Sequence, residues 1–325
     1  MATRKKNRPR YPLYIVSKGR WETRHTAKAL GQMGVPFNIV VEPQEVEVYE
    51  RVIEPLGGRV IPLDMSYKDA YETLDPVGDE VGKGPGAGAA RNFVWQHSMD
   101  EGYDRHWVMD DNIQGFFRFN KNLKTKCTSG AFWRAMEDFT LRYENVVMAG
   151  PQYVMFVPRK NGHMIPPFVI NTRIYSCNFI QNDLPLRWRC RYNEDTDLSL
   201  RILKAGHCTI QFNAFLQFKL PTQTVKGGNT DEIYFAAGKG EEGKDHGKRY
   251  APMGTLAKSQ QLVRLHPDVA RLVWKFGRWH HYVNYEVFKN NLPRKRKNTK
   301  HKKGTDNYGM SLHVDETMPK KYGDK

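Results

Sequence analysis

The sequence predicts an α/β protein whose central sheet is doubly wound, with helices on both faces. Three observations predict it. Short apolar runs alternate with helical stretches from Leu13 to Asp64, the connections between them are short, and 39% of the 325 residues are hydrophobic, enough for a sizeable core. The first strand is LYIV, Leu13 to Val16, which breaks at Ser17-Lys18-Gly19-Arg20. A helix follows from Thr23 to Met33 and ends at Gly34, a residue that suits a helix C-terminus. PFNIVVEP supplies a second strand ending at Glu42-Pro43, EVEVYERVIEPLG a second helix and RVIPLD a third strand. Right-handed crossovers between such strands line up their carboxyl ends along one edge, where ligands bind.

Downstream, the glycine-rich Val81–Ala90 stretch runs into a helix that opens with Arg91-Asn92. His106 to Asp111 reads as a strand ending in acid, residues 130–145 as a helix, and VVMAG and YVMFV as two strands. Tyr192–Gly206 is a polar loop entering a helix. Residues 219–255 read as a long mobile loop, and Asp268–Asn290 as an amphipathic helix carrying Trp274, Phe276, Trp279, Tyr282 and Tyr285. The expected organisation is a basic disordered arm over 1–11 and one compact domain over 12–290, followed by a basic tail over 291–325. Within the domain, 12–125 form a nucleotide-binding half and 126–290 an acceptor half.

Composition removes several classes of function. No uninterrupted apolar run approaches the roughly 20 residues of a membrane span, and the N-terminal MATRKKNRPR lacks the apolar stretch of a secretory signal. Four scattered cysteines without a C-x-x-C pair argue against a zinc finger or a disulfide framework and suit buried thiols in a reducing compartment. The chain is expected to be soluble and cytoplasmic. Its formal charge is +16, from 51 Lys and Arg against 35 Asp and Glu. Five bases without an acid in residues 1–10, and eleven bases against four acids in residues 289–325, carry most of that excess. Basic arms on a nearly neutral body suit a polyanion such as DNA, through phosphate contacts that release counterions; a solubilising tail is the plainer alternative.

Chemistry concentrates in a few motifs. Asp110-Asp111-Asn112 closes an apolar strand. Adjacent carboxylates there repel each other unless a cation sits between them, and Mg²⁺ or Mn²⁺ takes such oxygens together with substrate phosphates. An Asx turn explains the same residues without a ligand. The glycine stretch before Arg91 is neither a Walker loop nor a dinucleotide fingerprint, yet as a loop opening a helix it can meet an anion, with Arg91 as counter-charge. In Asn193-Glu194-Asp195-Thr196-Asp197, Asn193 suits an N-cap and three acids complement the helix dipole; one of them is alternatively a general base. Lys226 lies beside a Gly227-Gly228 hinge that can close over a diphosphate, and His246 is a candidate metal ligand in the same loop.

Taken in order, YIVSKGR (14–20), NIVVEP (38–43), GAGAARN (86–92), WVMDDN (107–112) and YNEDTDLSLRILKAG (192–206) resemble the TET-associated glycosyltransferases of bacteriophages, over roughly residues 12–290. The resemblance implies a GT-A fold, a Rossmann-like sheet that uses a nucleotide-sugar donor, here a UDP-sugar. It also implies transfer to 5-hydroxymethylcytosine in phage DNA, with Mn²⁺ or Mg²⁺ as cofactor. It places Ser17, Arg20 and Glu42 in the nucleotide pocket and Arg91 and Asn92 against base or pyrophosphate. Asp110, Asp111 and Asn112 match the metal-binding D-x-D motif, Asn112 replacing its final acid and weakening the expected metal affinity. Glu194-Asp195 matches the pair that supplies the catalytic base of inverting members, and His246 would join the metal. Two rivals remain open at this point: a GT-A enzyme with a non-DNA acceptor, and a metal-dependent nuclease. A catalytically silent DNA-binding module is a third.

Overall fold

The computed structural model describes residues 7–74, 86–120, 122–158, 165–220, 252–275 and 277–297. A parallel set opens it. β1 (Leu13–Val16), α1 (His25–Gln32), β2 (Phe37–Val41), α2 (Val46–Ile53) and β3 (Gly58–Pro62) follow the predicted alternation. After the one-turn α3 (Ser66–Asp69) and the longer α4 (Gly88–Asp100), β4 (Arg105–Asp110) pairs parallel to β1. β1, β2 and β4 are almost continuously apolar because both their faces are covered, as parallel sheets require. Leu13 and Ile15 pack with Trp107 and Met109 under α1, α2 and a later helix, α5 (Ala131–Thr140). Tyr14 and Val16 pack with Val108 under α4 and α6 (Glu194–Lys204).

The second half of the sheet mixes directions. It contains β5 (Ile113–Asn120), β6 (Leu123–Lys126), β7 (Val146–Tyr153), β8 (Phe168–Ile170), β9 (Cys177–Gln181) and β10 (Cys208–Lys219). The order across the sheet is β3-β2-β1-β4-β9-β7-β10-β5-β6, with β8 beside β10. β9 runs antiparallel to both β4 and β7, and β10 runs parallel to β7. Two reversals restore direction, so the carboxyl ends of β4 and β10 open on the same edge. That places Asp110 and Lys219, far apart in sequence, on one rim.

Several expectations need correction. VVMAG lies in β7, which runs on to Tyr153, and the second expected strand, YVMFV, is instead the end of β7 and a 3₁₀ turn over Val154–Phe156. Residue 219 ends a strand rather than opening a loop, and α7 (Pro252–Leu265) begins inside the stretch assigned to that loop; 221–251 lie outside the described residues. The helix expected over Asp268–Asn290 is a β-ribbon, β11 (Ala270–Lys275) paired with β12 (Arg278–Val283), then a 3₁₀ turn. Gly277 has φ +71°, so the chain reverses there where a helix would have continued. The arm and the tail are docked where described: backbone N–H groups of Arg10 and Tyr11 donate to Glu137, and Asn145 bonds both Leu292 and Arg294. All four cysteines are buried thiols rather than disulfides, and no described helix is long and apolar enough to cross a membrane.

The start of α4 is held by close packing. A Cβ on Gly88 would lie 1.8 Å from the Tyr71 hydroxyl oxygen, which is fixed by donating to the Cys190 carbonyl at 2.8 Å. Gly88→Ala is therefore predicted to lower unfolding free energy by about 1–3 kcal/mol through overpacking. Urea denaturation measures it, and an unchanged midpoint would show that Tyr71 yields freely.

Candidate functional site

At the rim formed by β1, β2, β4 and β10 lies a cavity of about 330 Å³. Its lining includes eight Lys or Arg side chains against five carboxylates, so its charge favours an anion. β4 presents Asp110 here, and α4 enters with Arg91 in its first turn.

Arg91 is the hub. Its Nη2 donates to Asp110 Oδ1 at 2.7 Å, while Nη1 donates to Glu194 Oε1 at 3.1 Å and to Asp195 Oδ1 at 3.0 Å. The side chain is 2% exposed and stacks on Trp188 at 4.7 Å. Burial opposes the guanidinium charge, but Asp195, Asp110 and Glu194 outweigh it and raise the Arg91 pKa. Asp110 completes its bonding through Oδ2, which accepts from Lys219 Nζ at 2.6 Å. Burial would keep that carboxyl protonated; Lys219 and Arg91 reverse the balance and hold it well below the usual range. Lys219 in turn donates to Ser176 Oγ at 2.8 Å.

Asp195 differs in consequence. Arg91 must be shared with Glu194 and Asp110, and the remaining partners, Asn178 and the Ser176 N–H, are at 3.4 Å. Burial pushes its pKa up to about 7, Arg91 opposing and Glu194 and Asp110 adding to the rise. That is the range of a working general base. The third acid of the helix start, Asp197, is instead buried under Arg189, Arg201 and His266, and its role is architectural. Asn193 does not cap α6 by its side chain. It takes the left-handed conformation at φ 56°, and its amide donates to the Lys258 carbonyl at 2.7 Å. Ser176, at φ 65°, is a second strained residue beside the cluster; such conformations cost about 1–3 kcal/mol each and concentrate at functional sites.

Asp111 turns to a different set of partners. Its Oδ1 accepts from Arg20 Nη1 at 2.6 Å and its Oδ2 from Ser17 Oγ at 2.7 Å, while Tyr49 bonds both Ser17 Oγ and the Arg20 N–H. Burial raises its pKa, which Arg20 and Ser17 offset only in part. Glu42 sits on the same rim between Lys18, at 2.8 Å, and Lys68. Burial there favours the acid form, and the two lysines overcome it to lower the pKa.

Ser17, Arg20, Glu42, Arg91, Asp110, Asp111, Asn112, Glu194 and Asp195 thus all line one cavity. Asn92 does not. Its side-chain amide bonds the Trp188 backbone twice, at 2.9 and 2.8 Å, beside a second cleft, and it serves the site only by fixing the ring under Arg91. Lys226 and His246 lie outside the described residues. Sequence reading missed Lys219 and the aromatic wall of Tyr153, Phe156 and Tyr175; the polar residues along β10 left no continuous apolar run to mark the first as a strand end.

These residues do not fit a divalent cation. Both oxygens of Asp110 and both of Asp111 are already bonded, to two separate groups of partners. Among the described residues, no three His, Cys, Asp or Glu side chains gather as metal ligands. Asn112 Oδ1 is buried without a partner, but it is one neutral oxygen.

The family model described as TET-Associated Glycosyltransferase matches residues 11–228, which hold every member of the cluster from Ser17 to Lys219. The chain belongs to the TET-associated glycosyltransferase family. No curated protein matches the chain. The family match ends before α7 and the β11–β12 ribbon, and α7 contributes Lys258 to the cavity lining.

Removing the hub tests the geometry. In Arg91→Met, Asp110, Glu194 and Asp195 lose their shared counter-ion, and unfolding free energy is predicted to fall by about 3–5 kcal/mol, as for breaking a buried ion pair. A loss below about 1 kcal/mol in urea denaturation, the range of surface pairs, would place the acids in solvent instead.

Proposed function

We propose that this glycosyltransferase moves a sugar from a nucleoside diphosphate, uridine diphosphate before others, to the hydroxymethyl group of 5-hydroxymethylcytosine in DNA. The observation that carries this reading is the pairing, in one cationic cavity, of a carboxylate poised near neutrality with lysine and arginine side chains suited to a diphosphate. In the transfer, the acceptor oxygen attacks the anomeric carbon and its proton passes to Asp195. The bond from the anomeric carbon to the diphosphate breaks, and its electron pair leaves with the phosphate oxygen. Attack opposite the leaving group inverts the anomeric carbon. Glu194, tied to the same guanidinium, keeps the Asp195 pKa high enough for it to take that proton.

A base inside a duplex has to leave the stack to reach the cavity, at a cost of roughly a few kcal/mol. Tyr153, Phe156 and Tyr175 offer aromatic faces to receive it, with Phe156 53% exposed at the rim and the rings of Tyr153 and Tyr175 4.4 Å apart. Trp274 and Trp279, cross-strand partners on the ribbon with ring centroids 5.3 Å apart, are exposed, as is Tyr282. Exposed aromatics beside basic side chains suit stacking on nucleobases and leave the phosphates to the charged arms.

Incubating the protein with hydroxymethylated DNA and a panel of sugar nucleotides, then weighing the nucleosides, is the direct test: a gain of one sugar mass is expected, and no gain with any donor overturns the reading. Asp195→Asn is predicted to lower kcat by about 10²–10⁴ while leaving donor affinity in place. The pH profile carries a sign. Asp195 accepts a proton only when ionised, so kcat/KM rises with pH through about 7 and then levels. A profile flat from pH 5.5 to 8.5 would remove Asp195 from that role. Replacing Trp274 and Trp279 together by Ala is predicted to weaken DNA binding about tenfold or more, from about 1–3 kcal/mol per stacked base, with unchanged donor affinity. Fluorescence anisotropy with labelled duplex measures it, and equal affinity would leave the ribbon out of the interface.

A further inference from the structure

The cluster at the rim points to a way of holding a diphosphate that the D-x-D resemblance does not imply. Adjacent carboxylates at a strand end need a cation, and here each already has one from the chain. Lys219 Nζ lies 2.6 Å from Asp110 Oδ2, Arg91 covers Asp110 Oδ1, and Arg20 covers Asp111 at 2.6 Å. A divalent ion entering at Asp110 would have to displace a buried lysine or arginine and leave it unpaired, which costs several kcal/mol. Lys219 comes from the end of β10 and Asp110 from the end of β4, so the contact is set by the sheet and not by a mobile side chain finding a surface partner. The ammonium has three N–H donors, and Asp110 and Ser176 take two. It lines the cavity, where basic side chains outnumber carboxylates, with Arg173, Arg191 and Lys258 on the wall beyond.

We infer that Lys219 occupies the place a metal ion would take, and that this chain binds and discharges the diphosphate of its donor with its own cations and no divalent metal. The inference rests on the transfer reading above. As the bond from the anomeric carbon to the phosphate oxygen breaks, the electron pair and its negative charge go to the diphosphate. Lys219 donates its remaining N–H to that charge, Arg91 behind Asp110 reinforces the field, and no metal–oxygen bond has to form or break. Fixed donors of this kind need no reorganisation as charge develops.

The experiment titrates full-length protein with inorganic pyrophosphate and with uridine diphosphate by calorimetry, in excess EDTA and again in Mn²⁺, and follows transfer to hydroxymethylated DNA under both conditions. Both ligands are expected to bind in EDTA within about threefold of their Mn²⁺ affinities, with transfer persisting in EDTA. Lys219→Met is expected to weaken pyrophosphate binding at least about tenfold. Binding and transfer that vanish in EDTA and return with Mn²⁺ overturn the inference and leave the proposed transfer standing. Pyrophosphate binding in EDTA without transfer from any sugar nucleotide overturns the proposed transfer and leaves the anion site standing. Should the methionine variant fail to fold, the EDTA comparison on native protein decides alone.

Discussion

One buried guanidinium sets the geometry on which everything else at the rim depends. Arg91 bonds Asp110 from a strand and Glu194 and Asp195 from a helix, and thereby joins the two halves of the chain at the point where the sheet opens. Without it, three carboxylates would be confined together, only Asp110 among them bonded to the Lys219 ammonium, and mutual repulsion would protonate or separate them. Its own position is fixed from both sides. Gly88 lets α4 approach Tyr71, and Asn92 anchors Trp188 beneath the guanidinium plane. The small residues of the GAGAARN motif thus act by admitting the helix, and its polar residues by orienting what the helix carries.

The sheet explains why distant residues meet. β9 and β7 each reverse direction between β4 and β10, so Lys219 ends beside Asp110 despite a separation of 109 residues. Ser176, just before β9, bridges the two strand ends. Its carbonyl accepts from the Asp110 N–H and its hydroxyl accepts from Lys219, while its strained backbone is held by these bonds. The same hydroxyl bonds Tyr153 at 2.5 Å, which connects the charged cluster to the aromatic wall.

What the sequence makes legible follows from burial. β1, β2 and β4 are covered on both faces, so their apolar runs stand out, and the acid at the end of β4 marks the rim. β10 is also buried along most of its length, but Thr209, Gln211, Asn213 and Gln217 are buried polar residues that break its apolar pattern. Their amide and hydroxyl groups bond backbone carbonyls of neighbouring segments, including Gln217 to Pro151 and Tyr175, a use that no periodicity announces. The ribbon was hidden for a different reason. Phe276, Trp279, Tyr282 and Tyr285 recur every three residues, as on one helical face, and the reversal at Gly277 pairs Trp274 with Trp279 across a ribbon instead. At the site, the paired acids were readable from their neighbours, whereas their cation was not, because Lys219 reaches them only through tertiary placement. Arg91 was readable as a charge but not as a hub, since the three acids it collects lie on two separate elements.

The cluster also couples the two charge movements of the proposed transfer. Before reaction, Arg91 is balanced by three carboxylates, and its field beyond them is largely cancelled. When Asp195 takes the acceptor's proton, one of those negative charges disappears, while Asp110 stays ionised because Lys219 and Arg91 hold it so far below its ordinary range. The net charge of the cluster therefore rises by one as the departing diphosphate gains negative charge. Across the low-dielectric interior such a change acts more strongly than it would in water. Proton acceptance at Asp195 and stabilisation of the leaving group are then not independent contributions. They are two consequences of sharing one guanidinium, and a carboxylate placed equally near the acceptor but not bonded to Arg91 would supply only the first.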